Sequence, residues 1–233
     1  MNRLPAALVR LLCVFLLSSW SPAALASSQL QGPEKAATFV DAQLEAAVRE
    51  ALGLGTSEPL TLGGLLQLVS LDAQGRGIRS LEGLEQCTNL RELTLWDNAI
   101  DDVSAVRALT NLVYLDLDEN RVSNLRPLSG LESLATLYVS ANKVVDLEPL
   151  SKLKDLENLF ARGNGIIEVE PLRGLAGLRQ LDVSWNEITD AGALASLTSL
   201  EGLDVSGNPL RDLSFLESLS SLTVLGLAQT GLA

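Results

Sequence analysis

The sequence predicts an α/β repeat solenoid, in which short parallel strands stack rung upon rung behind an N-terminal helical cap. Three observations carry this expectation. From Leu68 the chain repeats every 22 residues without insertion or deletion. Each repeat opens with a Leu-x-x-Leu-x-Leu pattern, as at Leu112, Leu115 and Leu117. Hydrophobic residues make up 47% of the chain but aromatics only 4%, so the core must be aliphatic.

Residues 1–26 read as a secretory signal. Arg3 and Arg10 supply its positive region, Leu11 to Leu17 its apolar core, and Ala24-Leu25-Ala26 the small residues before cleavage at Ser27. Ser18, Ser19, Ser21 and Pro22 interrupt the apolar run well short of the roughly 18 residues a spanning helix needs. Cleavage removes two of the 17 basic residues and none of the 29 acidic ones, so the net charge moves from −12 to about −14. Such a chain repels nucleic acid and anionic membranes. Cys13 leaves with the signal, and Cys87 alone cannot build a disulfide framework. A short polar linker, residues 27–35, follows.

Residues 36–67 precede the repeats. Asp41 is placed to cap a helix whose apolar face is Leu44, Val48 and Leu52, and Gly53 ends it. Glu45 and Arg49 form an i,i+4 pair on that helix. A second short element over Leu60 to Leu68 leads into the first coil.

The solenoid spans residues 68–233, with repeats 1 to 8 beginning at Leu68, Leu90, Leu112, Leu134, Leu156, Leu178, Leu200 and Leu222, the eighth being partial. The Leu-x-Leu portion alternates with period two, so its leucines share one face of a short strand. Apolar residues at positions 11, 14, 17 and 20, as in Val122, Leu125, Leu128 and Leu131, fill the remainder of a coil that a single repeat cannot close. Asparagine occupies position 9 of six repeats: Asn98, Asn120, Asn142, Asn164, Asn186 and Asn208. Stacked amides there would bond backbone groups that the turn leaves unpaired, a structural ladder rather than a site.

This pattern resembles the leucine-rich-repeat superfamily, specifically the bacterial 22-residue class to which internalins belong. The resemblance implies a curved, right-handed coil with the parallel sheet on its concave face. It extends to residues 36–67, which are similar to the N-terminal cap of bacterial members and would shield the sheet edge. Two departures stand at the ends: Arg76 and Thr230 replace the asparagine in repeats 1 and 8. The last coil begins with Leu222, Leu225 and Leu227 without a polar cap, so it is either an exposed edge or a pairing surface. Cys87 takes position 20, where the other full repeats have leucine, and reads as a buried, inert thiol.

Function in such an architecture falls to positions 3, 5 and 7, which alternate with the buried leucines. Five of the seven aromatics after residue 26 lie there or beside it: Trp96, Tyr114, Tyr138, Phe160 and Trp185. Phe39 lies beside the cap helix and Phe215 on the convex side. The stripe spans four rungs, roughly 19 Å at about 4.8 Å each. Exposed aromatic surface marks interaction sites, and Trp and Tyr are enriched at interface hot spots. Asp116, Asp118, Arg162 and Asp182 complete a partner-binding set with a polar rim. Asp182 and Asp204, adjacent in the stack, also admit a cation or a glycosidase pair, both set against an ordinary solvated face. The chain has no histidine, which excludes histidine-based triads, and no phosphate-cradling glycine loop.

The expectation is therefore an exported, periplasmic or extracellular binding module, neither an enzyme nor a carrier of metal or cofactor. Its partner is a protein taken on the concave face. Two alternatives stand open: an envelope glycan as ligand, or a structural subunit docking through the uncapped C-terminal repeat.

Overall fold

The computed structural model describes residues 35–231; residues 1–34, which hold the expected signal and nearly all of the expected linker, lie outside the described residues, as do the last two. Eight strands of three residues follow one another at the repeat interval: β1 (Ser70–Asp72), β2 (Glu92–Thr94), β3 (Tyr114–Asp116), β4 (Thr136–Tyr138), β5 (Asn158–Phe160), β6 (Gln180–Asp182), β7 (Gly202–Asp204) and β8 (Val224–Gly226). They form one parallel sheet in chain order, β1 to β8. The register carries each leucine onto its counterpart, Leu93 against Leu115, Leu115 against Leu137, Leu137 against Leu159. This is the expected solenoid, with the sheet on its concave face.

One continuous aliphatic core runs through it. The leucines at strand centres from Leu71 to Leu203 are at most 2% exposed, whereas Leu225 in β8 is 42% exposed. Opposite the sheet, most coils return through a short 3-10 turn, and in three of them proline presets the entry: Pro127, Pro149 and Pro171. Phe215, in another of these turns, sends its ring into the core and is 3% exposed.

The asparagine ladder forms as the spacing predicts. Asn142 Nδ2 donates to the carbonyls of Leu117, Val139 and Ser140, while its Oδ1 accepts from the Val122 N–H at 2.8 Å. Asn98, Asn120, Asn164, Asn186 and Asn208 repeat the arrangement. Each amide therefore reaches one coil back. That explains Arg76: repeat 1 has no preceding coil, and its side chain bonds Glu50 of the cap helix instead, at 2.7 Å. At the other end Thr230 has no amide to offer repeat 7, and the Leu210 N–H turns back onto the Asn208 carbonyl.

The cap helix α1 (Ala42–Leu52) starts and stops where the sequence places it. Asp41 accepts from the Gln43 and Leu44 N–H groups, Gly53 takes φ 69°, and Glu45 pairs with Arg49 at 2.8 Å. A one-turn helix α2 (Leu62–Leu65) follows, capped by Thr61. Asp41 does more than cap. Its second oxygen accepts from the Arg79 and Ser80 N–H groups, clamping α1 to repeat 1. Gly83 completes the junction: at φ 105° it turns the chain, and a Cβ there would stand 2.5 Å from the Thr38 carbonyl.

Cys87 is fully buried. Burial, with the Glu85 charge adding to it, pushes its thiol up to about 12.

Candidate functional site

Strand alternation points positions 3, 5 and 7 away from the leucine core, in three columns across the concave face. Position 3 holds Tyr114, position 5 holds Tyr138 and Phe160, and position 7 holds Trp96 and Arg162. Asp116 pairs across the rung with Tyr138, Tyr138 with Phe160, Phe160 with Asp182, and Asp182 with Asp204.

The rings meet. Tyr138 and Phe160 stack with centroids 4.5 Å apart and planes within 12°. Tyr114 leans on Tyr138 at 5.7 Å and 48°. All three, with Trp96, are half-buried. Trp185 stands apart from that stack, 46% exposed, with the Arg162 guanidinium 5.4 Å above its ring.

The charged members are tied to the backbone. Asp116 accepts from the Asp118 N–H at 3.0 Å, and Asp204 from the Ser206 N–H at 2.8 Å. Asp182 accepts from both the N–H and the hydroxyl of Ser184, whose oxygen in turn accepts from Arg162. Asp118, almost buried, takes the Ser140 N–H of the next coil. Aspartate at position 5 thus closes a small turn onto position 7, a local need that explains the residue type without a ligand. Among the described residues no group of three or more His, Cys, Asp or Glu side chains is arranged to hold a metal ion. A surface hollow lies on the opposite side, bordered by Arg79, Glu85, Asp101 and Arg107.

Models of the leucine-rich-repeat family match residues 88–144 and 178–195. Two crystal structures from Listeria monocytogenes share the architecture. An internalin (inlF) is 27% identical over 81% of this chain and 69% of its own, with a TM-score of 0.62. An internalin C2 (inlC2) is 28% identical over 84% of this chain and 100% of its own, with a TM-score of 0.66. The repeats are leucine-rich repeats, and the coil they build is similar to that of the bacterial internalins. No curated protein matches the chain.

Two features of this internalin-like coil escape the leucine pattern. Position 8 is left-handed in every repeat, at Gly75, Asp97, Glu119, Ala141, Gly163, Trp185, Gly207 and Gln229. The three glycines in that column were the readable signal, and Trp185 is the bulky exception. Gly165, two residues beyond Gly163 in the same turn, has no positive φ. Position 13 forms a second polar column on the convex side, where Asp102, Asn124, Asp146, Asp190 and Asp212 each accept from the N–H two residues on. Hydrogen bonds from the hydroxyl and N–H of Ser104 hold the Asp102 carboxyl below the usual range, against a smaller upward push from burial.

Proposed function

We propose that the protein is exported and binds a protein partner across the concave face of repeats 2 to 6. Among the described residues no helix is long and apolar enough to cross a membrane. The signal-like residues 1–26 support export to the periplasm or beyond. The observation that carries the binding reading is the ring cluster Tyr114–Tyr138–Phe160 on strands β3 to β5. These rings project from the face opposite the leucine core, so the core does not account for them. They form a rigid amphipathic surface of the kind that anchors protein interfaces. Leucine-rich-repeat proteins bind other proteins in general, and both internalin structures are built on the same coil. Trp96 and Trp185 extend the surface to either side, while Asp116, Asp118, Arg162 and Asp182 give it a polar rim.

The test compares the full chain with a Trp96→Ala/Tyr138→Ala/Phe160→Ala variant in pull-downs from envelope and culture fractions, with circular dichroism confirming the variant's fold. A protein captured by the first and lost by the folded second supports the concave face as the site. Capture of the same proteins by both removes it. Retention on a glycan array, abolished by the same variant, replaces the protein partner with a carbohydrate.

A further inference from the structure

The three outward columns of the concave face carry six carboxylates, Asp72, Glu92, Asp116, Asp118, Asp182 and Asp204, against one guanidinium, Arg162. That single cation is already spoken for, donating to Ser184 and lying over Trp185. The face is therefore strongly anionic around an aromatic centre, and its charge complement is a cation.

The ring geometry says where a cation fits. Tyr138 and Phe160 stack from adjacent rungs with nearly parallel planes, so the stack runs along the sheet. One face of Phe160 is covered by Tyr138, and the other looks toward the Asp182 rung. Beyond it Asp182 and Asp204 stand side by side, with glycine at position 3 of β7, Gly202, and at position 5 of β8, Gly226. The Gln180 side chain lies across Gly202, and the Asp204 carboxylate leans over Gly226. Asp182 is the shorter side chain on the rung next to Phe160, so a cation resting on its carboxylate lies against the open, negative π-face of the ring, with Asp204 one rung further. Arg162 over Trp185 shows that a guanidinium and a ring already associate in this way on the same surface.

We propose that the partner taken by this face is a basic polypeptide segment, with a lysine or arginine side chain seated on the Asp182–Asp204 pair against the open face of Phe160. This inference rests on the concave-face reading above and names the chemistry of its partner. Asp116, on the far side of Tyr138, supplies a second anionic position for the next basic residue of the segment.

The test uses the full chain and fluorescein-labelled Lys-Ser-Gly repeat peptides, with Arg-Ser-Gly and Glu-Ser-Gly counterparts, read by fluorescence anisotropy. The lysine and arginine peptides should bind at low ionic strength and weaken as salt shortens the Debye length, whereas the glutamate peptide should not bind. Asp116→Asn/Asp182→Asn keeps a carbonyl oxygen for each turn while removing two charges, and should weaken the basic peptides about tenfold. A charge-matched convex variant, Asp146→Asn/Asp190→Asn, removes two carboxylates with the same backbone role and should leave binding near the parent value. Equal loss in the convex variant, binding of the glutamate peptide, or no binding of either basic peptide overturns the proposal. If the aromatic variant still loses its captured protein while the basic peptides fail, only the partner chemistry is wrong. If both tests fail, the concave-face reading falls with it.

Discussion

The Arg162 guanidinium carbon stands 5.4 Å from the ring centre of Trp185, over a residue whose backbone is held at φ 58°. A left-handed conformation costs a non-glycine residue roughly 1–2 kcal/mol, and an exposed cation–π contact returns about 0.5–1 kcal/mol. Trp185→Gly should therefore leave urea-unfolding stability within about 1 kcal/mol of the parent, on either side. If the concave face is the site, the same variant should bind its partner less well. A stability loss above roughly 2 kcal/mol would instead make Trp185 a packing residue of the fold.

Gly207 lies under the same indole, where a Cβ would stand 2.8 Å from Trp185 Cδ2. Its φ of 69° alone does not demand glycine, because Ala141 occupies the equivalent place at 53°. The clash should then dominate. Gly207→Ala is expected to cost more than about 1 kcal/mol in the parent and about 1 kcal/mol or less in the Trp185→Gly background. The double-mutant cycle measures the difference, and additive costs would show that the backbone, not the ring, sets the requirement.

The repeat was legible because its physics is periodic. Leucines at a fixed interval of 22 must share a face, and the asparagines must share a turn, so β1 to β8 and the ladder follow from spacing alone. The α1 boundaries were legible too, since Asp41 and Gly53 are local signals. What spacing cannot reveal is contact between unlike positions. The reach of Asp41 to Arg79 and Ser80, and of Arg76 to Glu50, joins segments that share no periodicity. On the concave face, the Tyr138–Phe160 contact was readable from their shared column. The bonds that tie Asp116, Asp118 and Asp182 to neighbouring N–H groups were not, because a carboxylate beside a strand looks the same whether it faces solvent or closes a turn.

The ladder makes a prediction that separates interior rungs from the last one. Asn142→Ala removes one acceptor and the donors to three carbonyls, and should cost about 1–3 kcal/mol in urea unfolding. Thr230→Ala should cost less than half of that, because the Leu210 N–H already bonds the Asn208 carbonyl. Equal costs would mean that the ladder contributes side-chain packing rather than satisfied backbone groups.

Asp41 links stability to pH. Burial raises its pKa, but N–H donors from Arg79, Leu44, Gln43 and Ser80 outweigh it, and the carboxyl titrates below its ordinary value of 3.8. A group depressed in the folded state contributes stability that is present above its unfolded pKa and lost as pH falls through the folded one. Asn caps helices well but has one acceptor oxygen where Asp41 uses two, so Asp41→Asn keeps the cap and breaks the clamp to repeat 1. The variant should lose about 1–2 kcal/mol near neutral pH, and the gap to the parent should close as the pH falls below the ordinary value of 3.8 and through the depressed folded one. A gap independent of pH would place the effect in geometry rather than charge.

Cys87 gives a way to watch that clamp directly. Its thiol is fully buried in repeat 1, and the shift to about 12 leaves almost no thiolate at neutral pH, so a thiol reagent can reach it only when the surrounding structure opens. In a Cys13→Ser background the labelling rate therefore reports the opening free energy of the N-terminal end. Each 1.4 kcal/mol lost in that opening should speed labelling about tenfold when closing is fast. Asp41→Asn should accelerate it several-fold to tenfold near neutral pH, because α1 then closes over repeat 1 with fewer hydrogen bonds. Phe160→Ala, four rungs away on the outward face, should leave the rate near that of the parent. If both variants speed labelling equally, Cys87 is reached only by unfolding of the entire coil, and the cap and repeat 1 do not open as a separate unit.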